Sequence, residues 1–281
     1  MPLETKIYQK DNRLKLNRVL KACVKDFFGS HFLAKQLATR DIRAQYRQSY
    51  LGIIWAFITP VFSALVWIML SVTGTVKLSD TGIPYPVYVF SGTLIWSILK
   101  EAINLPTSNT NAARSILTKI NFPKEALILS GMYKLFFNSA IKILLLVLIV
   151  ILFGLGFSWS LLLFPLVIVC AVLFGVTIGL FITPFGLIYT DVGKIITFGL
   201  GLVMYITPVV YAIPQEGVMR TIMEINPFTP MIIVARNVIV GSNPEFLSYF
   251  LSIIGISFPL FFIGLLFYRI SIPIIVERLS A

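Results

Sequence analysis

Five stretches of this chain, at 51–72, 86–105, 135–157, 161–188 and 246–267, each reach the length of about 20 mostly apolar residues that crosses a hydrocarbon core. A sixth, at 195–213, is just long enough. The run at 231–240 is too short to cross and Arg236 interrupts it, which suits a re-entrant or interfacial helix. In lipid every backbone N–H and C=O must be satisfied by protein, and in apolar runs of this length a helix does so within one segment, so these runs predict helices. The expected fold is an all-α membrane protein with six transmembrane helices. Composition agrees: 57% of the residues are hydrophobic and 12% charged, against about a quarter charged in a soluble domain.

Charge sets the expected orientation. Of 23 Lys and Arg, 11 precede Tyr50, against four acids there (Glu4, Asp11, Asp26, Asp41). Lys and Arg gather on the cytoplasmic side, and six spans put both termini on it. The loops then assigned inside carry Arg114, Lys119, Lys124, Lys194, Arg269 and Arg278. Those assigned outside carry Lys77, Arg220 and Arg236 against Asp80, Glu216, Glu224 and Glu245. The expected division is a cytoplasmic segment at 1–49, a membrane domain at 50–270 and a cytoplasmic tail at 271–281. The polar N-terminus has no apolar run ending in a cleavage site, so no cleavable signal is expected. The basic balance matches no nucleic-acid-binding signature, and membrane lipids are the expected partner of that charge.

Three segments outside the spans invite a functional reading. A helix running from Ser30, as N-cap, towards Tyr50 puts Arg40, Arg43 and Arg47 on one face and Ala38, Ile42 and Tyr46 on the other. Such a helix lies on a membrane surface, either as a plain basic anchor or against a partner. In the loop 106–131, Asn111 is placed to cap a short basic helix, about 111–125, that Pro123 stops. In the stretch 214–244, Pro227 and Pro230 around Phe228 divide two short helices, the second ending at Gly241. These either close the outer end of a passage or form a lid that only packs.

Catalytic chemistry is absent from the pattern. The single Gly-Lys pair, Gly193 and Lys194, lacks the earlier glycine of a phosphate-binding loop. There is one histidine, His31, no Asp-x-Asp pair, and two cysteines, Cys23 and Cys170, in neither a disulfide framework nor a metal motif. No cofactor is expected in this chain. What remains are polar groups in apolar runs, which carry information because they are costly. Ser130, Lys134, Asn138 and Lys142 recur every four residues and build one stripe. With Arg47, the last three form a cationic substrate entrance, unless Lys142 snorkels to the interface. Lys100 and Glu101, near the inner end of the second run, are expected either to snorkel or to screen each other. Tyr85, Tyr88, Phe90, Trp96, Tyr205 and Tyr211 are either interfacial belt residues or a lining on which sugar rings slide.

The run TRDIRAQYRQSYLGIIWAFITP from Thr39 to Pro60 resembles the entry to the first span in permease subunits of ABC transporters that export O-antigen, capsular polysaccharide and teichoic acid. YPVYVFSG (85–92), INFPKE (120–125), TPVVY (207–211) and NPFTP (226–230) support the resemblance in order. It implies a homodimer joined to two ATPase subunits that bind ATP and Mg, in a bacterial inner membrane. It places the surface helix (Arg40, Asp41, Arg43) and the loop helix (Arg114, Lys119, Phe122, Pro123, Lys124, Glu125) against those ATPases. It also implies a channel between the two copies, an outer exit near Pro227, Phe228 and Pro230, and a lipid-linked glycan as substrate. The alternatives from the residues alone are a membrane-embedded glycan-processing enzyme or a related permease for small hydrophobic compounds.

Overall fold

The computed structural model describes residues 16–47, 50–74, 81–120, 122–156 and 158–280. Residues 1–15, Lys77, Asp80, Asn121 and the side chain of Arg278 lie outside this description. The described residues form eleven α-helices and no strand. Two lie ahead of the first apolar run: α1 (Leu16–Gly29) and α2 (His31–Arg47). Next come α3 (Trp55–Val72), α4 (Tyr85–Ala112), the single turn α5 (Arg114–Leu117), α6 (Glu125–Leu152), α7 (Phe164–Ile188) and α8 (Thr190–Tyr205). Two short helices, α9 (Val218–Ile225) and α10 (Thr229–Val240), precede the long α11 (Leu247–Ser280).

The core is a trio of parallel helices, α4, α7 and α11. Small residues on α7 set the spacing. Gly175 meets Leu99 and Ala102, Gly179 meets Ile103 and Pro106, and Gly186 meets Thr107, so contacts advance together along both helices. A Cβ on Gly179 would overlap the Ile103 carbonyl oxygen; glycines four apart bring two backbones this close. Thr107 and Thr183 share a hydroxyl hydrogen bond of 3.0 Å across the same seam. α11 follows α7 in parallel: Gly264 rests on Leu180, and the Phe267 ring lies beside Phe181 and Phe185. The fully buried Tyr268 joins α11 to α4 through Thr110, hydroxyl to hydroxyl at 2.7 Å.

The expected spans are met in part. Four helical segments are long and apolar enough to cross a membrane: Gly52–Val72, Glu125–Leu152, Trp159–Ile188 and Leu247–Ile275. The run at 86–105 sits in α4, whose 28 residues extend about 42 Å, but Lys100, Glu101 and its later Asn and Ser residues dilute its apolar content. Its neighbours bury most of its length, which removes the need for an apolar surface. The run at 195–213 is helical only to Tyr205, in the 16-residue α8. The third run begins its helix ten residues early, at Glu125, and α11 carries the run at 246–267 on through the expected tail to Ser280. Among the described residues α3 buries Ala64 and α8 buries Leu200. These two helices stand at the edge of the bundle with apolar faces uncovered.

Candidate functional site

At one end of the bundle α2 lies obliquely across α6. His31 meets the Tyr133 ring edge-on, and the Tyr46 hydroxyl donates to Asn138 Oδ1 at 3.1 Å. Those contacts are about 22 Å apart along α2 but about 8 Å apart along α6. Ala34 and Ala38 are buried at the crossing, while Arg40, Arg43 and Arg47 are exposed on the other face, as the spacing required. Arg40 pairs with Asp41 at 2.7 Å. Ser30 is no side-chain cap: its hydroxyl donates back to the Asp26 carbonyl.

The segment 111–125 departs from a single capped helix. Asn111 belongs to the last turn of α4, and α5 holds four residues with no side-chain cap. Four residues close one turn at most, and the chain is already irregular at Phe122, before Pro123. Lys119 and Pro123 are exposed, Phe122 and Lys124 half-buried. Arg114 donates to the Leu187 carbonyl at 3.3 Å, a cation at the C-terminus of α7 where the helix dipole favours it. Glu125 turns away from this surface. It is fully buried at the start of α6, and Arg269 of α11 bridges it (2.9 Å) to Asp26 of α1 (2.7 Å). Cys23 completes the cluster; burial first, and then the nearby Glu125 charge, push its thiol up to about 12.

Further along α6, Lys142 does not stand free. It pairs with Glu101 of α4 and donates to Ser97 Oγ at 3.2 Å. Glu101 therefore screens Lys142 rather than its neighbour Lys100. Two adjoining clefts open here, of about 360 and 340 Å3. Gln45, Glu101 and Asn138 line both; Lys134 and Asn104 face the first, Tyr46 and Trp55 the second. The polar stripe on α6 is thus brought against α2, α3 and α4. Arg47 is exposed nearby in sequence but lines neither cleft.

The opposite end is built around α9 and α10. They break at 226–228, where Asn226 Nδ2 donates to the Ile206 carbonyl and to Thr207 Oγ1, both at 2.9 Å. Pro227 is exposed, Pro230 is buried in the first turn of α10, and Gly241 ends α10 in the left-handed conformation at φ 79°. The Phe228 ring wedges between Trp96 of α4 (5.6 Å) and Phe174 of α7 (5.4 Å). Those residues lie about 15 Å from the starts of their helices, so the α9–α10 break enters the bundle as a re-entrant hairpin does. Tyr88, Phe90 and Trp96, expected as belt or lining residues, are buried within the subunit. Tyr85 and Tyr211 are half-buried and Tyr205 is exposed.

Arg236 holds this end together. Its guanidinium donates to the carbonyls of Pro208 (3.2 Å), Val209 (2.9 Å) and Tyr88 (3.3 Å), and stands 3.5 Å over the Tyr88 ring. Gly92 makes room for it, since a Cβ there would overlap both the Val209 carbonyl oxygen and Arg236. The sequence marked Arg236 as an interruption and as an outer-side cation, without a buried role. A charge inside an apolar run was the available signal. Asp26 and Arg269 gave none, because both sit where charges are ordinary.

Four helices long and apolar enough to cross a membrane, packed with a buried hairpin at one end and a basic helix at the other, are the build of an integral membrane protein. The chain belongs to the ABC-2 type transporter family, whose model matches residues 33–240. It is 25% identical over 211 residues to the O-antigen export system permease protein RfbA of Myxococcus xanthus, covering 74% of this chain and 80% of that protein. It is 24% identical over 239 residues to a protein of the same name from Klebsiella pneumoniae, covering 79% and 88%.

Proposed function

We propose that this chain is the permease subunit of an ATP-driven exporter that moves a lipid-linked polysaccharide of the O-antigen kind across a bacterial inner membrane. The observation that carries the reading is similarity to O-antigen export permeases over four-fifths or more of their length. In this reading α3, α4, α6, α7, α8 and α11 are the six spans and both termini are cytoplasmic. α4 and α8 cross because neighbouring protein, rather than their own composition, shields them. The uncovered faces of α3 and α8 support a second copy across a shared passage. ATP and Mg belong to two separate ATPase subunits. These dock at the cytoplasmic face formed by Arg40, Asp41 and Arg43 of α2 and by Arg114, Lys119, Phe122, Pro123 and Lys124 around α5. Closure of the ATPases pushes that face, and a rigid-body shift opens the passage past the α9–α10 hairpin.

Two measurements in the native host test this reading. An ATP-hydrolysing subunit should co-purify with the chain under mild detergent and be lost when Arg114 and Lys119 are both changed to Glu. Deleting the chain should leave glycan inside the cell. A chain that purifies alone, with surface glycan intact after its deletion, sinks the reading.

A further inference from the structure

The paired clefts between α2, α3, α4 and α6 are polar without being strongly cationic, and this decides what fits them. Lys142 is already committed to Glu101. Lys134 is then the one lysine lining them without an ion pair among the described residues, and the Glu101 carboxylate lines both clefts. A diphosphate brought here would meet that carboxylate and find one free cation. The remaining hydrogen-bonding edges are mixed. Asn104 Nδ2 is used on the Lys100 carbonyl, leaving its oxygen to accept. Asn138 Oδ1 accepts from Tyr46, leaving its amide to donate. Lys134 donates, Glu101 accepts, and Gln45 does either. A hydroxyl both donates and accepts, so a ring carrying several hydroxyls can satisfy such a set, whereas a phosphate only accepts. Trp55, 52% exposed, adds an indole wall against which the C–H face of a sugar packs. Each cleft falls within the size range of small-ligand sites, about 300–1,000 Å3.

We propose that this cleft binds a sugar ring by its hydroxyls, as the cytoplasmic recognition site for the glycan rather than for its phosphate. The inference rests on the transport reading above and deepens it: the sugar carried by the lipid, not the charged linkage, is what this surface reads.

The test uses the full chain with its co-purified ATPase in phosphatidylcholine nanodiscs, and a dodecyl glucoside bearing a photoactivatable diazirine as probe. Labelling of peptides from α2, α3, α4 or α6 should saturate. Excess unlabelled dodecyl glucoside should reduce it about fivefold or more, and dodecyl phosphate at the same concentration less than about twofold, as expected when several hydroxyl hydrogen bonds carry the binding. Asn104→Leu should lower labelling about threefold or more. Trp55→Leu, at a half-exposed position with little bearing on folding, should do the same. Equal or better competition by dodecyl phosphate overturns the proposal, as do labelling that does not saturate and variants that label like the wild type. Export separates the two readings. If deletion of the chain abolishes surface glycan while the cleft fails these tests, only the sugar site is wrong; if surface glycan persists, the transport reading itself has failed.

Discussion

Two arginines lie at opposite ends of this molecule and are held in opposite ways. Arg236, 6% exposed, faces three backbone carbonyls and a tyrosine ring, and forms no ion pair with a described carboxylate. Arg269, 29% exposed at its side chain, bridges two carboxylates on two other helices. Carbonyl dipoles are fixed by the backbone, cannot take a proton and cannot swing away. They hold the charge only while the 208–209 turn, the start of α4 and α10 keep one arrangement. Carboxylates on separate helices can exchange partners and keep the charge satisfied while the helices shift. The Arg236 end is therefore built as a rigid plug. The Arg269 end is built as a joint, linking α1, α11 and the start of α6 immediately after the irregular residues 122–124.

The comparison makes its largest prediction at the plug. Arg236→Leu leaves buried carbonyls without donors, and the expected loss is about 3 kcal/mol or more, read as a lower melting temperature in detergent. Arg236→Lys should recover less than half of it, because an ammonium is a point charge that cannot span three carbonyls. A Leu variant within about 1 kcal/mol of wild type would mean that packing alone holds this end, and the contrast would fall.

At the joint, Glu125→Gln should cost about 2 kcal/mol, since it removes a charge-assisted bond from a fully buried group. Asp26→Asn should cost under about 1 kcal/mol, because Asp26 remains 34% exposed and water replaces it. Equal losses at the two positions would show that burial does not set the order.

How much of this was legible depended on what each residue's neighbours in sequence could reveal. Apolar run length marked four spans, because crossing a hydrocarbon core is a local requirement. It also marked the run in α4, but not that the polar half of this helix is covered by α7 and α6, which is a fact about neighbours. The α2 faces were legible because helical period alone separates Arg40, Arg43 and Arg47 from Ala38. The break at Pro227 was legible too, while the wedging of Phe228 between Trp96 and Phe174 was not. The partners of Lys142 and Arg269 sit 41 and 144 residues away, beyond any spacing rule. The 111–125 segment failed for a different reason: a capping residue and a proline bound a helix without guaranteeing one, and α4 overran Asn111.

The joint also has a pH signature. The Cys23 thiol, pushed up to about 12 by burial and by Glu125, binds its proton more tightly folded than unfolded. Its contribution is therefore complete below the ordinary thiol pKa near 9 and is lost as pH rises through about 12. Melting curves from pH 8 to 11 should show an alkaline decline that Cys23→Ala flattens, and iodoacetamide at pH 8 should leave Cys23 unmodified until the protein unfolds. Prompt alkylation in the native state would place the thiol in water and detach it from the cluster.

The smallest effect belongs to the pair that lies between these extremes. Lys142 is 12% exposed and Glu101 42%, so water already reaches one partner of the ion pair. Lys142→Met should cost about 1 kcal/mol or less, because the Glu101 left behind can be hydrated through the cleft. Glu101→Gln should cost somewhat more, because it strands the less exposed ammonium beside Ser97. The double variant should then be more stable than Glu101→Gln alone, since it removes the stranded charge along with its partner. That ordering separates the pair from the joint, where removing either member leaves a second carboxylate or an arginine still bonded. If the double variant is instead the least stable of the three, the pair is an energetic element of the fold, and the gradient from plug to joint to cleft is not set by exposure.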